Sequence, residues 1–105
     1  FINPIKHLEP SWFGLPILIN KKFISKKTKF LNFLAKKGIE TRPIISGNFL
    51  NQPAMKIYNL DKGRKSFLGA QEVEDKGFFI GIHIEKISVK QLKFLETNLL
   101  KIGNF

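Results

Sequence analysis

Apolar positions in this chain come in short runs separated by polar turns, and their spacing alternates between two periods. The stretch "WFGLPILI" at 12–19 is too short for a buried helix and is flanked by turn residues, so it reads as a strand with Phe13, Leu15, Ile17 and Ile19 on one face. Pro16 offers no ladder donor, which points to an edge strand or a bulge. A helical period follows over about 25–37, with Ser25 as cap, Phe30, Leu31 and Leu34 on one side, and Gly38 as a left-handed stop. Residues 39–45 read as a second strand. Pro53 suits the first turn of a short helix through about Tyr58, capped by Asn51 or Gln52. The stretch "LDKGRKS" at 60–66 is a turn, and 67–75 can form another helix. "FFIGIHI" at 78–84 is apolar on both faces, as expected of a central strand covered by helices. Ser88 and Gln91 make a capping box, after which Leu92, Leu95, Leu99 and Ile102 share one stripe and Gly103 ends the helix. Residues 1–10 are an irregular lead-in, interrupted by Pro4 and Pro10.

The order strand, helix, strand, short helices, strand, helix implies an α/β fold: a small sandwich with helices packed on a three-stranded sheet. The 105 residues amount to one domain, and 43% hydrophobic content suffices for a core. The chain begins with Phe1 rather than methionine and reads as an excised or truncated piece. No internal repeat or low-complexity linker divides it.

Composition removes several function classes. The absence of cysteine excludes disulfide frameworks and thiolate metal sites. No apolar run approaches the roughly 20 residues of a membrane span, and Pro4, His7, Glu9 and Pro10 interrupt any signal-peptide pattern. A net charge of +10 raises the question of nucleic acid, but the charge comes from sixteen lysines against two arginines, Arg42 and Arg64. Lysine is poorly suited to bidentate contacts with bases or phosphates. Walker, dinucleotide-binding, zinc-protease and nucleophile-elbow motifs are all missing, and the carboxylates of Asp61, Glu72, Glu74, Asp75 and Glu85 form no catalytic pair.

The chemistry-bearing stretch is "TRPIISGNFLNQPA" at 41–54. Pro43 holds Arg42 extended, Gly47 permits a sharp turn, Asn48 carries a donor and an acceptor, and Phe49 adds a flat apolar face. Such a loop suits an anionic, hydroxyl-rich ligand. An arginine paired to a neighbouring carboxylate and an asparagine satisfying its own turn account for the same residues without any ligand. His83 is either a proton-transfer group or a hydrogen-bonded core residue. Gly81 permits a close approach, and Trp12 and Phe13 read as core or interface residues.

Three segments, "PSWFGLPILI" at 10–19, "LAKKGIETRPIISGNFLNQPA" at 34–54 and "DKGFFIGIH" at 75–83, resemble in order and spacing the C-terminal domain of the DegT/DnrJ/StrS family. These are fold-type-I, pyridoxal-phosphate-dependent enzymes acting on nucleotide-linked sugars. Many aminotransferase members carry a histidine-containing segment after Thr-Arg-Pro. The Ser46-Gly47-Asn48-Phe49 and Gln52-Pro53 found here are more similar to the sugar 3-dehydratase branch, which removes a hydroxyl from a 4-keto-6-deoxy sugar nucleotide. The resemblance implies that the cofactor, pyridoxal or pyridoxamine phosphate (PLP or PMP), is bound mainly by a large domain missing from these residues. It also implies a cytoplasmic homodimer that works on a nucleotide sugar for lipopolysaccharide O-antigen. In it, Arg42, Ser46, Asn48, Phe49 and His83 would contact substrate, with no catalytic residue and no metal site in this piece. The competing class is a basic α/β module binding RNA, which requires stacking aromatics on an exposed sheet face.

Overall fold

In the computed structural model the described residues are 5–60 and 66–105. The expected turn at 60–66 and the start of the lead-in therefore fall largely outside them. Strand β1, Gly14–Leu18, pairs antiparallel with β2, Gly77–Gly81, in the register Leu15 opposite Ile80 and Ile17 opposite Phe78. That alternation puts Ile17, Ile19, Phe78 and Ile80 on one face of the ribbon. Helix α1, Lys27–Lys36, lays Phe30 and Leu34 against this face, and Phe30, Leu34 and Phe78 are the most completely buried side chains.

Among the described residues the sheet has two strands, not the expected three. On the far side of β2 the pairing found among them is that of Arg42, which exchanges backbone hydrogen bonds with Phe79 (2.9 and 2.8 Å). The ladder stops there because the chain turns at once: Gly47 N–H closes onto the Ile44 carbonyl at 2.8 Å, curling the chain away from β2. β2 is also shorter than expected. It ends at Gly81, and Ile82, His83 and Ile84 are exposed. Its second face carries Phe79, half-buried under Phe13 in an edge-to-face contact at 5.4 Å, rather than a covering helix.

Local signals hold at most helix ends. Gly38 (φ 75°) terminates α1 in a Schellman motif: Gly38 N–H donates to Ala35 O and Ile39 N–H to Leu34 O, with Leu34 and Ile39 both buried. The start of α1 departs from expectation. A 3₁₀ segment, Lys21–Lys26, precedes it, and Asn20 rather than Ser25 supplies the side-chain cap, accepting from Lys22 N–H. Pro53 opens α2, Pro53–Ile57, as expected. Asn59 (φ 53°) closes it, with Leu60 N–H reaching Met55 O at 2.9 Å. Helix α3 spans Leu68–Lys76 and runs directly into β2.

Helix α4, Val89–Leu99, begins at the Ser88–Gln91 capping box. Leu95, Leu99 and Ile102 pack on the core, but Leu92 is exposed. Gly103 does not end α4; it lies inside a terminal 3₁₀ segment, Leu100–Asn104. That segment brings Phe105 onto Phe30 and Phe33 at 5.8 and 5.2 Å between ring centres, a closure of the core absent from the helical stripe. No described helix is long and apolar enough to cross a membrane.

Candidate functional site

The segment after Arg42 is built by turns that its own residues dictate. Gly47 sits at φ 63°, a left-handed backbone that costs any other L-residue about 1–2 kcal/mol. Asn48 accepts from Leu50 N–H at 3.2 Å through its side-chain oxygen, capping the 3₁₀ turn Phe49–Asn51. The Gln52 amide donates to Ser46 O at 3.3 Å and closes the loop on itself. Pro53 then commits the chain to α2.

Helix α3 receives this loop. The Glu74 carboxylate accepts the backbone N–H of Asn48 at 2.6 Å and the Asn51 side-chain amide at 3.1 Å on each oxygen. Gln71, one turn earlier, accepts from Asn48 Nδ2 at 2.9 Å and from Asn51 Nδ2 at 3.0 Å, while its own amide donates to Asp75 at 2.9 Å. Asn48 is only 7% exposed, and both ends of its amide are engaged within the protein. Residues 71 and 74 are three apart and so share a helix face. That spacing was the one sequence signal for this cluster, and it acquires meaning only when the loop docks.

Behind the cluster, Lys27 donates to Glu74 O at 2.9 Å. Burial lowers its ammonium pKa, and the neighbouring carboxylates of Asp75 and Glu74 offset part of that shift.

The five expected ligand residues do not converge. Arg42 and His83 border one open cleft of about 580 Å³, together with Phe13, Glu40, Phe79, Gln91 and Phe94. Its size and mixture of aromatic, amide and charged groups suit a small-molecule site. In it Arg42 pairs with Glu40 at 2.8 Å, and both side chains are mostly exposed (67% and 75%). Such an ion pair is worth little and exchanges readily for a better anion. Ser46 borders a separate depression of about 310 Å³ with Ile44, Gly47, Gln52 and Glu74. Asn48 and Asn51 face a third of about 300 Å³ with Phe67 and Gln71. Phe49 is exposed.

Among the described residues no lysine lines the cleft or either depression, so these residues offer no amine to anchor pyridoxal phosphate as an imine. They do not by themselves fit that cofactor. Among the described residues no group of His, Asp and Glu is arranged to hold a metal ion. Among the described residues the exposed aromatics are Trp12 and Phe13 ahead of β1, Phe49 in the loop, Tyr58 at the end of α2, Phe67 ahead of α3 and Phe94 on α4. They are scattered over these segments rather than alternating along a strand.

The chain is similar to nucleotide-sugar 3-dehydratases. It is 32% identical over 94 residues to GDP-4-keto-6-deoxy-D-mannose 3-dehydratase of Yersinia pseudotuberculosis, covering 89% of this chain and 23% of that protein. The enzyme of the same name from Escherichia coli O55:H7 is 33% identical over 76 residues, 71% of this chain and 19% of the relative. The dTDP-4-dehydro-2,6-dideoxy-D-glucose 3-dehydratase of Saccharopolyspora spinosa is 29% identical over 77 residues, 73% of this chain and 16% of the relative. The chain thus spans less than a quarter of the length of the curated relatives it matches. No family model and no solved structure matches it.

Proposed function

We propose that this chain is the small C-terminal domain of a DegT/DnrJ/StrS-type enzyme that removes the C3 hydroxyl of a nucleotide-linked 4-keto-6-deoxy sugar. The observation that carries the reading is its similarity, over most of its own length, to three proteins all named as nucleotide-sugar 3-dehydratases. In this reading the cofactor sits on another part of the polypeptide.

The surface supports a domain that works against another body. A compact 12.1 kDa protein exposes about 6,000 Å², whereas this chain exposes 8667 Å². Its radius of gyration is 16.3 Å, against about 13 Å for a compact domain of this length. Large apolar side chains lie on that surface: Phe13 is 78% exposed and Ile84 fully so, with Ile82, Phe94 and Trp12 also open.

The contribution of this chain is then recognition. Arg42 exchanges the Glu40 carboxylate for a phosphate of the nucleotide sugar, a match for its planar fork of donors. His83 and Gln91, which line the same cleft, supply hydrogen bonds, and Phe13 and Phe79 add apolar surface to it. Ser46 and Phe49 present a hydroxyl and a flat face from the loop, while Asn48 holds the loop's shape. The enzyme acts as a cytoplasmic homodimer and supplies deoxysugar for lipopolysaccharide O-antigen.

The test uses the complete gene product, purified with pyridoxal phosphate. Glutamate and GDP-4-keto-6-deoxymannose are added, and loss of the C3 hydroxyl is followed by NMR. The expected result is a 3-deoxy product, with Arg42→Ala raising KM about tenfold or more, as expected for a lost charged hydrogen bond. A protein that takes up no cofactor and leaves the sugar intact, yet binds oligonucleotides with steep salt dependence, would replace this reading with the RNA-binding one.

A further inference from the structure

We infer that Glu74, assisted by Gln71, is a positioning residue for the Ser46–Gln52 loop, holding it at the fixed height above α3 that its ligand role requires. This rests on the nucleotide-sugar reading above. Three observations carry it. The Glu74 carboxylate takes the backbone N–H of Asn48 and the Asn51 amide together, so one anion fixes both a main-chain and a side-chain donor of the loop. Charge-assisted bonds of this kind are roughly twice as strong as neutral ones. Gln71 accepts from both asparagines and donates to Asp75, which fixes its amide orientation. The fit is also steric. A Cβ placed on Gly47 would lie 3.0 Å from Cβ, Cγ and Oε2 of Glu74, so the loop backbone runs directly over this side chain.

The arrangement divides the loop into two sides. Its inward groups, the Asn48 N–H and the amides of Asn48 and Asn51, are consumed by α3. Its outward groups, Ser46 and Phe49, remain exposed. Because α3 runs without interruption into β2, and Arg42 pairs with Phe79 of β2, the same rigid unit sets the loop on one side and Arg42 on the other. Releasing Glu74 loosens the loop but leaves the Arg42 bridge in place. Substrate affinity therefore suffers more than the chemical step.

The experiment compares Glu74→Ala and Glu74→Gln in the complete gene product by amide hydrogen exchange, and by KM and kcat for the nucleotide sugar. Removing the carboxylate is expected to speed exchange at residues 46–52 about tenfold or more, while amides of α1 and β2 stay unchanged. KM should rise severalfold with kcat nearly constant. Glu74→Gln keeps an acceptor for Asn48 N–H but opposes the Asn51 amide with a second donor, so it should recover only part of both effects. Exchange that is unchanged, or that rises uniformly through the chain, overturns the positioning role. Local loosening without a change in KM overturns its connection to substrate. A wild-type enzyme without dehydratase activity would instead count against the underlying reading, and the exchange measurement would still decide whether Glu74 holds the loop.

Discussion

Gly47 and Gly38 have nearly the same backbone, φ 63° and 75°, but different surroundings, so replacing each by alanine separates conformational strain from collision. At Gly38 no atom lies within 4 Å of the added methyl group. The cost is the left-handed backbone alone, about 1–2 kcal/mol. At Gly47 the methyl carbon meets Glu74 Cβ, Cγ and Oε2, all at 3.0 Å. Glu74 can yield only by drawing its carboxylate away from Asn48 N–H and the Asn51 amide. Losing such a charged hydrogen bond adds about 1.5–3 kcal/mol, so Gly47→Ala should cost about 2.5–5 kcal/mol in total. Urea unfolding of the two variants, followed by circular dichroism with a common slope, gives the difference directly. A Glu74→Ala background removes two of the three contacts and the bonds at stake, so the penalty of Gly47→Ala should shrink there toward that of Gly38→Ala. Equal losses at the two glycines, or a Gly47 penalty unaffected by Glu74→Ala, would refute the claim that the loop is seated on this side chain.

Three further outcomes follow from packing, capping and charge. Leu34 is fully buried between α1 and the sheet face, and Leu34→Ala should lower unfolding free energy by about 2–5 kcal/mol, measured by the same urea titration. Ser88→Ala removes the hydroxyl that accepts Gln91 N–H, leaving the Ser88 N–H bond to the Gln91 side chain, and should cost about 1 kcal/mol, with amide exchange rising first at the start of α4. Lys27 has its pKa lowered in the folded protein, chiefly by burial, from the ordinary 10.5. The folded state therefore releases this proton before the unfolded state does, and this group's contribution to stability rises with pH through the window just below 10.5. Wild type should gain stability relative to Lys27→Met as the pH climbs through that window, and parallel pH profiles would show that Lys27 is not desolvated.

Signals that act over a few residues were legible in the sequence. The Gly38 stop, the Ser88–Gln91 box, Pro53 at a helix start and the edge position of Pro16 all depend on φ angles and nearest-neighbour hydrogen bonds. The alternation that puts Ile17, Ile19, Phe78 and Ile80 on one face is equally local. The loop at 41–54 could be singled out, but its two readings could not be separated, because each depends on what lies opposite. Tertiary structure supplies part of that context. Arg42 pairs locally with Glu40, two residues back, whereas Asn48 is turned inward onto Gln71, more than twenty residues away in sequence. Glu74 gained its role in the same way: on α3 alone it is one acid among several, and only the docked loop gives its carboxylate two donors to hold. The third strand failed for the same reason. Apolar residues at 39–45 permit a strand, but pairing needs a partner edge for its whole length, and the turn at Ile44–Gly47 leaves β2 only Arg42. Short-range geometry is written in adjacent residues, whereas the environment of a polar group is set by which distant segment comes to lie against it.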